Sequence, residues 1–145
     1  MDMTTALRYS EDYTNPAAEI YDYVRAGGIV ARPADYQGPE GFYAYLRTVQ
    51  PEGTHGQVFM YKTVNSDVLG WVLHRTSGHD IPTLLQERLW MPLGMEHDAS
   101  IGVDSLGTAF AGGGLATSLR DLARFGETLR CEGFGNGRQL IPPAA

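Results

Sequence analysis

The chain has 145 residues, enough for one domain that buries most of its apolar surface, and it is acidic, with 17 Asp and Glu against 11 Lys and Arg. The arginines are scattered singly, so no basic stripe could follow a phosphate backbone, and we expect no nucleic-acid partner. The apolar runs are too short for a membrane span or a signal peptide, so we expect no membrane partner either. Cys131 cannot form an internal disulfide and is predicted to be a buried or half-buried thiol after a helix.

The first helix is predicted in NPAAEIYDYVRAGG, residues 15–28. Asn15 is a typical N-cap, Pro16 suits the first helical position, and Gly27 can end the helix in the left-handed conformation. Its buried face should hold Ile20, Tyr23 and Val24. A second, shorter helix is predicted in GPEGFYAYLRTVQ, residues 38–50.

The segment GQVFMYK, residues 56–62, alternates as a short strand or strand-like segment would and leads into Tyr61. A helix is predicted from about Ser66 to the TSG sequence at residues 76–78. We expect its buried side to comprise Val68, Leu69, Val72 and Leu73.

Two further helices are predicted, in residues 80–94 and 117–130. Asp80 should cap the first of them and Pro92 should stop it, while Ser118 and Asp121 have a spacing close to that of a capping box at the start of the second. The expected buried stripes are Ile81, Leu84, Leu85 and Leu89, then Leu119, Leu122, Phe125 and Leu129. Five helical segments with one or two short strands predict a mostly α chain.

Motifs for nucleophiles and ligands are scarce. The sequence contains neither G-x-S-x-G nor S-x-x-K, and its four histidines form no H-E-x-x-H. EHD at residues 96–98 is more typical of a solvated turn than of a metal corner, so we predict neither a metal nor a cofactor. The GGG sequence at 112–114 indicates either a tight turn or a close backbone approach to a ligand.

The stretch FMYKTVN, residues 59–65, raises a question about chemistry. A phenol titrates near pH 10, so a tyrosine acts as a general base at neutral pH only beside positive charge. Lys62 adjoins Tyr61, but neighbours on an extended segment point to opposite faces, so a cation from elsewhere would suit better. Asn65 can cap the helix or direct its amide to a substrate. On these residues alone, an aromatic packed under a helix start is favoured.

Two long segments carry a resemblance. FMYKTVNSDVLGWVLHRTSGHDIPTLLQERLWMPLGMEHD and FAGGGLATSLRDLARFGETL resemble the β-lactamase-related serine hydrolases, which include class C β-lactamases and penicillin-binding-protein-like esterases and peptidases. The resemblance covers essentially the whole chain. Within the family, RYSEDY, RAGG and EGTHGQVFMYKTVN look most like the nylon-oligomer hydrolases, which cleave amide bonds of 6-aminohexanoate oligomers.

The resemblance places Tyr61 on the family's catalytic tyrosine, with Gly70 nine positions later as in the family pattern. The family asparagine corresponds to Thr63, and Asn65 lies two positions further on, so the usual amide is displaced or lost. The other substrate-binding residues that it implies are Gly112, Gly113 and Gly114, which would line the acyl pocket, and Tyr9, Tyr13 and Gly27, which fall in an insertion on the substrate side.

The resemblance also implies a fold and a reaction. Residues 1–145 would be the central, mainly helical part of one incomplete α/β transpeptidase-like domain, without the upstream S-x-x-K and the downstream sheet strands, and Met1 would be an internal residue. In the intact enzyme a serine attacks the carbonyl of a small amide or ester, and tyrosine and lysine move the proton to the leaving group. We expect the chain alone to be inactive.

Several alternatives stay open. The substrate class could instead be that of an esterase, a β-lactamase or a D-amino-acid peptidase, and the chain could be an inactive helical module or a decayed gene product. An apolar face left exposed by the missing sheet would favour a homodimer or aggregation. The compartment stays open, with a slight preference for the cytoplasm.

Overall fold

The computed structural model describes residues 3–143, so Met1 and the prediction attached to it lie outside the described residues. The helices are α1 (Glu19–Ala26), α2 (Phe42–Leu46), α3 (Thr63–Ser77), α4 (Ile81–Leu85), a π-helical turn (Gln86–Trp90), α5 (Met91–Leu93) and α6 (Leu119–Arg130). Two antiparallel pairs join β1 (Ser100–Ile101) to β2 (Leu115–Ala116) and β3 (Phe134–Gly135) to β4 (Arg138–Gln139). The mostly helical prediction is therefore confirmed. None of the helices within residues 3–143 is long and apolar enough to cross a membrane.

The core is a cluster of aromatic rings between α1, α2 and the start of α3. Tyr23 is fully buried at its centre, with ring centroids of Tyr9, Tyr45 and Phe42 at 6.1, 5.5 and 5.4 Å. Offset and edge-on aromatic pairs at such distances add to the stability gained from burial. The predicted burial of Ile20 and Tyr23 is confirmed, because α1 turns that face toward α2.

Helix ends follow local capping chemistry in some places and not in others. Asp80 accepts the N–H of Thr83 at 2.8 Å, and Ser118 accepts the N–H of Asp121 at 3.1 Å, so both predicted caps are confirmed. The predicted start of α1 is wrong, because Asn15 instead accepts the N–H of Ala17 in a separate turn before the helix.

Two further helix boundaries also differ from the predicted ones. Gly27 has φ −72°, and Gly28, at φ +73°, is the residue that adopts the left-handed conformation. The third helix begins at Thr63 rather than near Ser66, so its first turn follows Lys62 directly.

Pro92 does not stop its helix. The chain stays helical from α4 through the π-helical turn to α5 and ends at Gly94, which has φ +64°. A proline lacks an N–H, and its ring crowds the carbonyl four residues earlier in a regular α-helix. The wider π-helical turn at Gln86–Trp90 includes Arg88, the residue four positions before Pro92, so the regular α-helical geometry that would cause this crowding is absent there.

The predicted buried stripes of α3 and α6 are largely exposed. Leu69, Val72 and Leu73 are 41, 49 and 47% exposed, and Leu119 is 83% exposed. Other positions are buried instead, in α3 at Thr63, Val64, Asn65, Asp67 and Gly70 and in α6 at Asp121 and Thr128. Both helices thus pack through a partly polar face and leave most of the predicted stripe exposed in the part of the chain that the structure describes.

Gly27 lies against the buried ring of Phe42, and replacing it with alanine tests this contact. A Cβ placed there would lie 2.1 Å from Cε1 of the buried Phe42 ring. We expect Gly27→Ala to lower the free energy of unfolding by about 1–3 kcal/mol, as overpacking does. The matched control is Gly126→Ala in α6, where a Cβ meets nothing within 4 Å and the change should stabilise by up to about 1 kcal/mol. Urea unfolding of both variants measures the difference, and equal values for the two would refute the contact.

Candidate active site

Tyr61 lies on the surface immediately before α3, and its side chain is 57% exposed. Lys62 points the other way: its side chain is buried, and Nζ donates to the carbonyl of Thr5 at 3.2 Å and to that of Leu7. The two neighbours therefore diverge, as expected for an extended segment. Lys62 fastens the N-terminal segment to the start of α3 and does not face the phenol.

Glu11 connects the start of α3 to a second exposed tyrosine. Its Oε1 accepts the N–H of Thr63, the first residue of α3, and its Oε2 accepts the hydroxyl of Tyr13 at 3.2 Å. A carboxylate at this position is also favoured by the positive end of the helix dipole. Desolvation and the charge of Glu11 raise the pKa of Tyr13, and Tyr61 is among the further groups that do so. Tyr13 and Tyr61 are thus both exposed, and Glu11 links Tyr13 to the start of α3, which Tyr61 precedes.

The three glycines at 112–114 form a turn that packs on the first turn of α3. The N–H of Gly112 donates to Oδ1 of Asp67 at 3.2 Å. A Cβ on Gly112 would lie 2.4 Å from Cγ2 of Thr63, so the approach requires glycine. Gly114 accepts the N–H of Gly102 at 2.8 Å, which ties the turn to the β1–β2 pair. The turn thus contacts the helix two residues after Tyr61.

Three other residues predicted to bind substrate lie inside the protein. Asn65 is buried, and its Oδ1 accepts the hydroxyl of Thr5 at 2.6 Å. Tyr9 belongs to the aromatic core, where its hydroxyl is buried without a partner among the described residues. Gly27 packs under Phe42. Tyr61, Tyr13 and Gly113 are exposed, Gly112 contacts Thr63 at the start of α3, and the binding roles of all these residues stay predictions.

The sequence reasoning missed Asp67, the buried carboxyl behind the glycine turn. Its Oδ2 accepts the hydroxyl of Tyr23, and the N–H groups of Gly112 and Ala111 also donate to it. Burial raises the pKa of Asp67 to about 6, although these hydrogen bonds oppose the shift. The sequence signal that could have indicated the burial of Asp67 is its position three residues after Val64, which puts both residues on the same face of α3.

The raised pKa of Asp67 predicts a pH dependence of stability. Between its ordinary value of 3.8 and about 6, the folded state binds more protons than the unfolded state, so the free energy of unfolding falls as the pH rises through this range. The loss should be about 1–3 kcal/mol, fully present at pH 7. Asp67→Asn should remove this slope. Urea unfolding of both proteins at pH 4, 5, 6 and 7 measures it, and parallel curves would contradict the assignment.

The EHD segment is held by arginines. Arg120 and Arg124 donate to the carboxylate of Glu96 at 3.0 and 2.9 Å, and Nδ1 of His97 lies 3.4 Å from Oδ2 of the buried Asp121. Within residues 3–143 no group of three or more His, Cys, Asp or Glu side chains is arranged to hold a metal ion.

The predicted half-buried thiol is confirmed at Cys131, whose Sγ lies 3.4 Å from Oε1 of Glu127.

A cavity in the described part of the chain is lined without Tyr61. It has a volume of about 510 Å³ and opens between the helical turn at Trp90 and the β1–β2 pair, with Met95, His97 and Leu115 among its lining residues. None of the residues predicted to bind substrate lines it.

Comparison with known proteins assigns the chain to a family. The Beta-lactamase family model matches residues 1–145. Over 142 residues, 97% of the chain, the sequence is 36% identical to the 6-aminohexanoate-dimer hydrolase of Paenarthrobacter ureafaciens. The chain spans 35% of the length of that relative.

Two solved structures have the same fold. "Putative 6-aminohexanoate-dimer hydrolase from Bacillus anthracis" superposes with a TM-score of 0.88 at 30% identity, covering 99% of this chain and 38% of that one. "Crystal structure of putative beta-lactamase from Bacteroides dorei DSM 17855" superposes with a TM-score of 0.63 at 21% identity, and it too covers 99% of this chain and 38% of that one. The predicted fold, the mainly helical part of a β-lactamase-like domain, is confirmed. The chain belongs to the Beta-lactamase family and is related to 6-aminohexanoate-dimer hydrolase.

Proposed function

We propose that this chain is part of a serine hydrolase. The enzyme would cleave amide bonds in small linear substrates, such as 6-aminohexanoate oligomers, through an acyl-enzyme on a serine. The observation that carries the proposal is the placement of Tyr61, which is exposed directly before α3, the helix whose first residue contacts the glycine turn. The similarity to two proteins named as 6-aminohexanoate-dimer hydrolases supports this substrate class.

Tyr61 has the chemistry that amide cleavage needs at one step. When a hydroxyl attacks an amide carbonyl, its proton must reach the leaving nitrogen, and a positioned phenol can receive and return it. The phenol of Tyr61 is exposed, so it can approach both the attacking hydroxyl and the leaving nitrogen. The backbone of residues 112–114 comes within contact of the same helix turn, so it can line the acyl group of the substrate.

The remaining catalytic groups would come from outside these 145 residues. The sequence contains no S-x-x-K, and Lys62 is committed to the carbonyls of Thr5 and Leu7. Without a nucleophile the steps that lower the barrier are missing, so we expect no turnover from the 145-residue chain.

The test uses the protein expressed from its complete reading frame. Release of primary amine from the linear 6-aminohexanoate dimer is compared with cleavage of a short-chain nitrophenyl ester, a D-alanyl-D-alanine peptide and a β-lactam. We expect kcat/KM to be highest for the amide dimer. Preferential cleavage of the ester, the peptide or the β-lactam would assign the protein to the corresponding alternative, and no cleavage of any of them would reject a hydrolase.

A further inference from the structure

The carboxyl of Asp67 joins three parts of the fold: α3, α1 and the glycine turn. It belongs to α3, one helical turn after Thr63. From α1 it receives the hydroxyl of Tyr23, and from the glycine turn it receives the N–H of Gly112 at 3.2 Å. The side chain is 2% exposed. A buried carboxyl with these partners transmits the position of the aromatic core to the glycine turn.

The glycine turn is held at three places. Asp67 holds Gly112 to α3, and Gly114 accepts the N–H of Gly102 beside the β1–β2 pair. Before the turn, the ring of Phe110 stacks on Phe42 at 5.3 Å and lies 6.1 Å from the ring of Tyr23. Hydrogen bonds to an ionised carboxylate are shorter and stronger than those to a neutral acceptor. Loss of the carboxylate would therefore release the turn on the side that contacts α3.

We propose that Asp67 is a positioning residue, which holds the glycine turn at residues 112–114 at a fixed place relative to Tyr61. The inference rests on the proposed function, because it assigns the turn to the acyl side of the substrate. Asp67 itself does not touch the substrate. A small displacement of a substrate-lining segment can lower the rate by as much as about 10²-fold, so such a residue can matter without contact.

The titratable groups that face Asp67 are phenols. They are Tyr23 from α1, Tyr9 from the N-terminal segment and Tyr43 from α2. Glu11 also acts on Tyr9 and Tyr23, and Asp104 acts on Tyr43. Burial raises the pKa of each phenol, so all three stay neutral in acid and at neutral pH. The glycine turn contributes no titratable side chain.

The contact is tested by NMR on the ¹⁵N-labelled protein. We expect the amide signals of Ala111 and Gly112 to shift with a midpoint near pH 6 in the wild type, the value to which burial raises the pKa of Asp67. They should not shift in Asp67→Asn. The matched control is Asp121→Asn, since Asp121 is another buried aspartate that accepts backbone N–H groups, from Glu96 and His97, but lies in α6. A Gly112 amide that ignores Asp67, or that responds equally to Asp121→Asn, would overturn the inference.

The positioning role is tested by kinetics on the complete protein. We expect Asp67→Ala to lower kcat by about 10- to 100-fold with a smaller change in KM. Asp67→Asn keeps an acceptor for Gly112, so its kcat should fall by less than about tenfold. Its kcat should also lack the pH dependence between pH 5 and 7 that the titration of Asp67 gives the wild type. If the folded fraction of Asp67→Ala has the same kcat as the wild type, the positioning role is overturned. An inactive wild type whose Gly112 signal still titrates would instead refute the proposed function.

Discussion

Tyr61→Phe lowers kcat for hydrolysis of the 6-aminohexanoate dimer by about 10²–10⁴-fold in the complete protein, if the phenol transfers the proton as proposed. The change removes one hydroxyl and leaves the ring. Since Tyr61 is 57% exposed, its hydroxyl contributes little to folding, and we expect the melting temperature to stay within about 2 °C. Substrate binding does not require the proton, so KM should change much less than kcat. Initial rates of amine release over a range of dimer concentrations measure both constants.

The matched control for Tyr61→Phe is Tyr43→Phe. Tyr43 stacks on Trp71 with a centroid distance of 4.9 Å and lies on α2, outside the candidate site. Its hydroxyl should be dispensable for turnover. If Tyr61→Phe retains more than about a tenth of wild-type kcat, or if Tyr43→Phe loses as much, Tyr61 has no proton-transfer role.

Leu93→Ala destabilises the 145-residue chain by about 2–5 kcal/mol, whereas Leu119→Ala changes its stability by less than about 0.5 kcal/mol. Leu93 is 2% exposed and Leu119 is 83% exposed. Leu93 lies at the end of α5 and packs against Gly135 of β3 beside Thr128 of α6, so truncation leaves a cavity between three elements. Urea denaturation followed by far-ultraviolet circular dichroism gives both values.

The contrast between these two leucines also tests the exposed stripe of α6. Measurements at several protein concentrations separate the folded monomer from any associated form. A large loss for Leu119→Ala that grows with concentration would mean that a second copy covers the stripe. A large loss independent of concentration would contradict the exposed position of Leu119.

Local signals in the sequence predicted the caps at Asp80 and Ser118 but not the start of α1, and they predicted burial poorly in α3 and α6. The Asp80 and Ser118 caps join a side chain to a backbone N–H three residues away, so no other part of the fold is needed to form them. Burial of Leu69 or Leu122 depends on what packs against the helix, which periodicity cannot specify. In both helices the residues that contact the described fold lie mostly outside the predicted stripe, at positions such as Asp67 and Asp121.

The candidate site was predicted only where its residues lie in contiguous motifs. The resemblance pointed to Tyr61 and to the glycines at 112–114 in this way, and their roles stay predictions. Glu11 and Asp67 could not be found in this way, because each acts across the chain, with hydrogen bonds to residues 52 and 45 positions away. The π-helical turn before Pro92 likewise depends on its surroundings.

The burial of Lys62 makes this residue a reporter of local opening. It is the only lysine in the sequence, it is 5% exposed, and its amine is occupied by two carbonyls. Amine-reactive labels and lysine-specific endoproteinases act on accessible side chains, so in the folded chain they should find no lysine target until the N-terminal segment detaches from α3. Their reaction rate would then measure how often that detachment occurs, without any introduced probe.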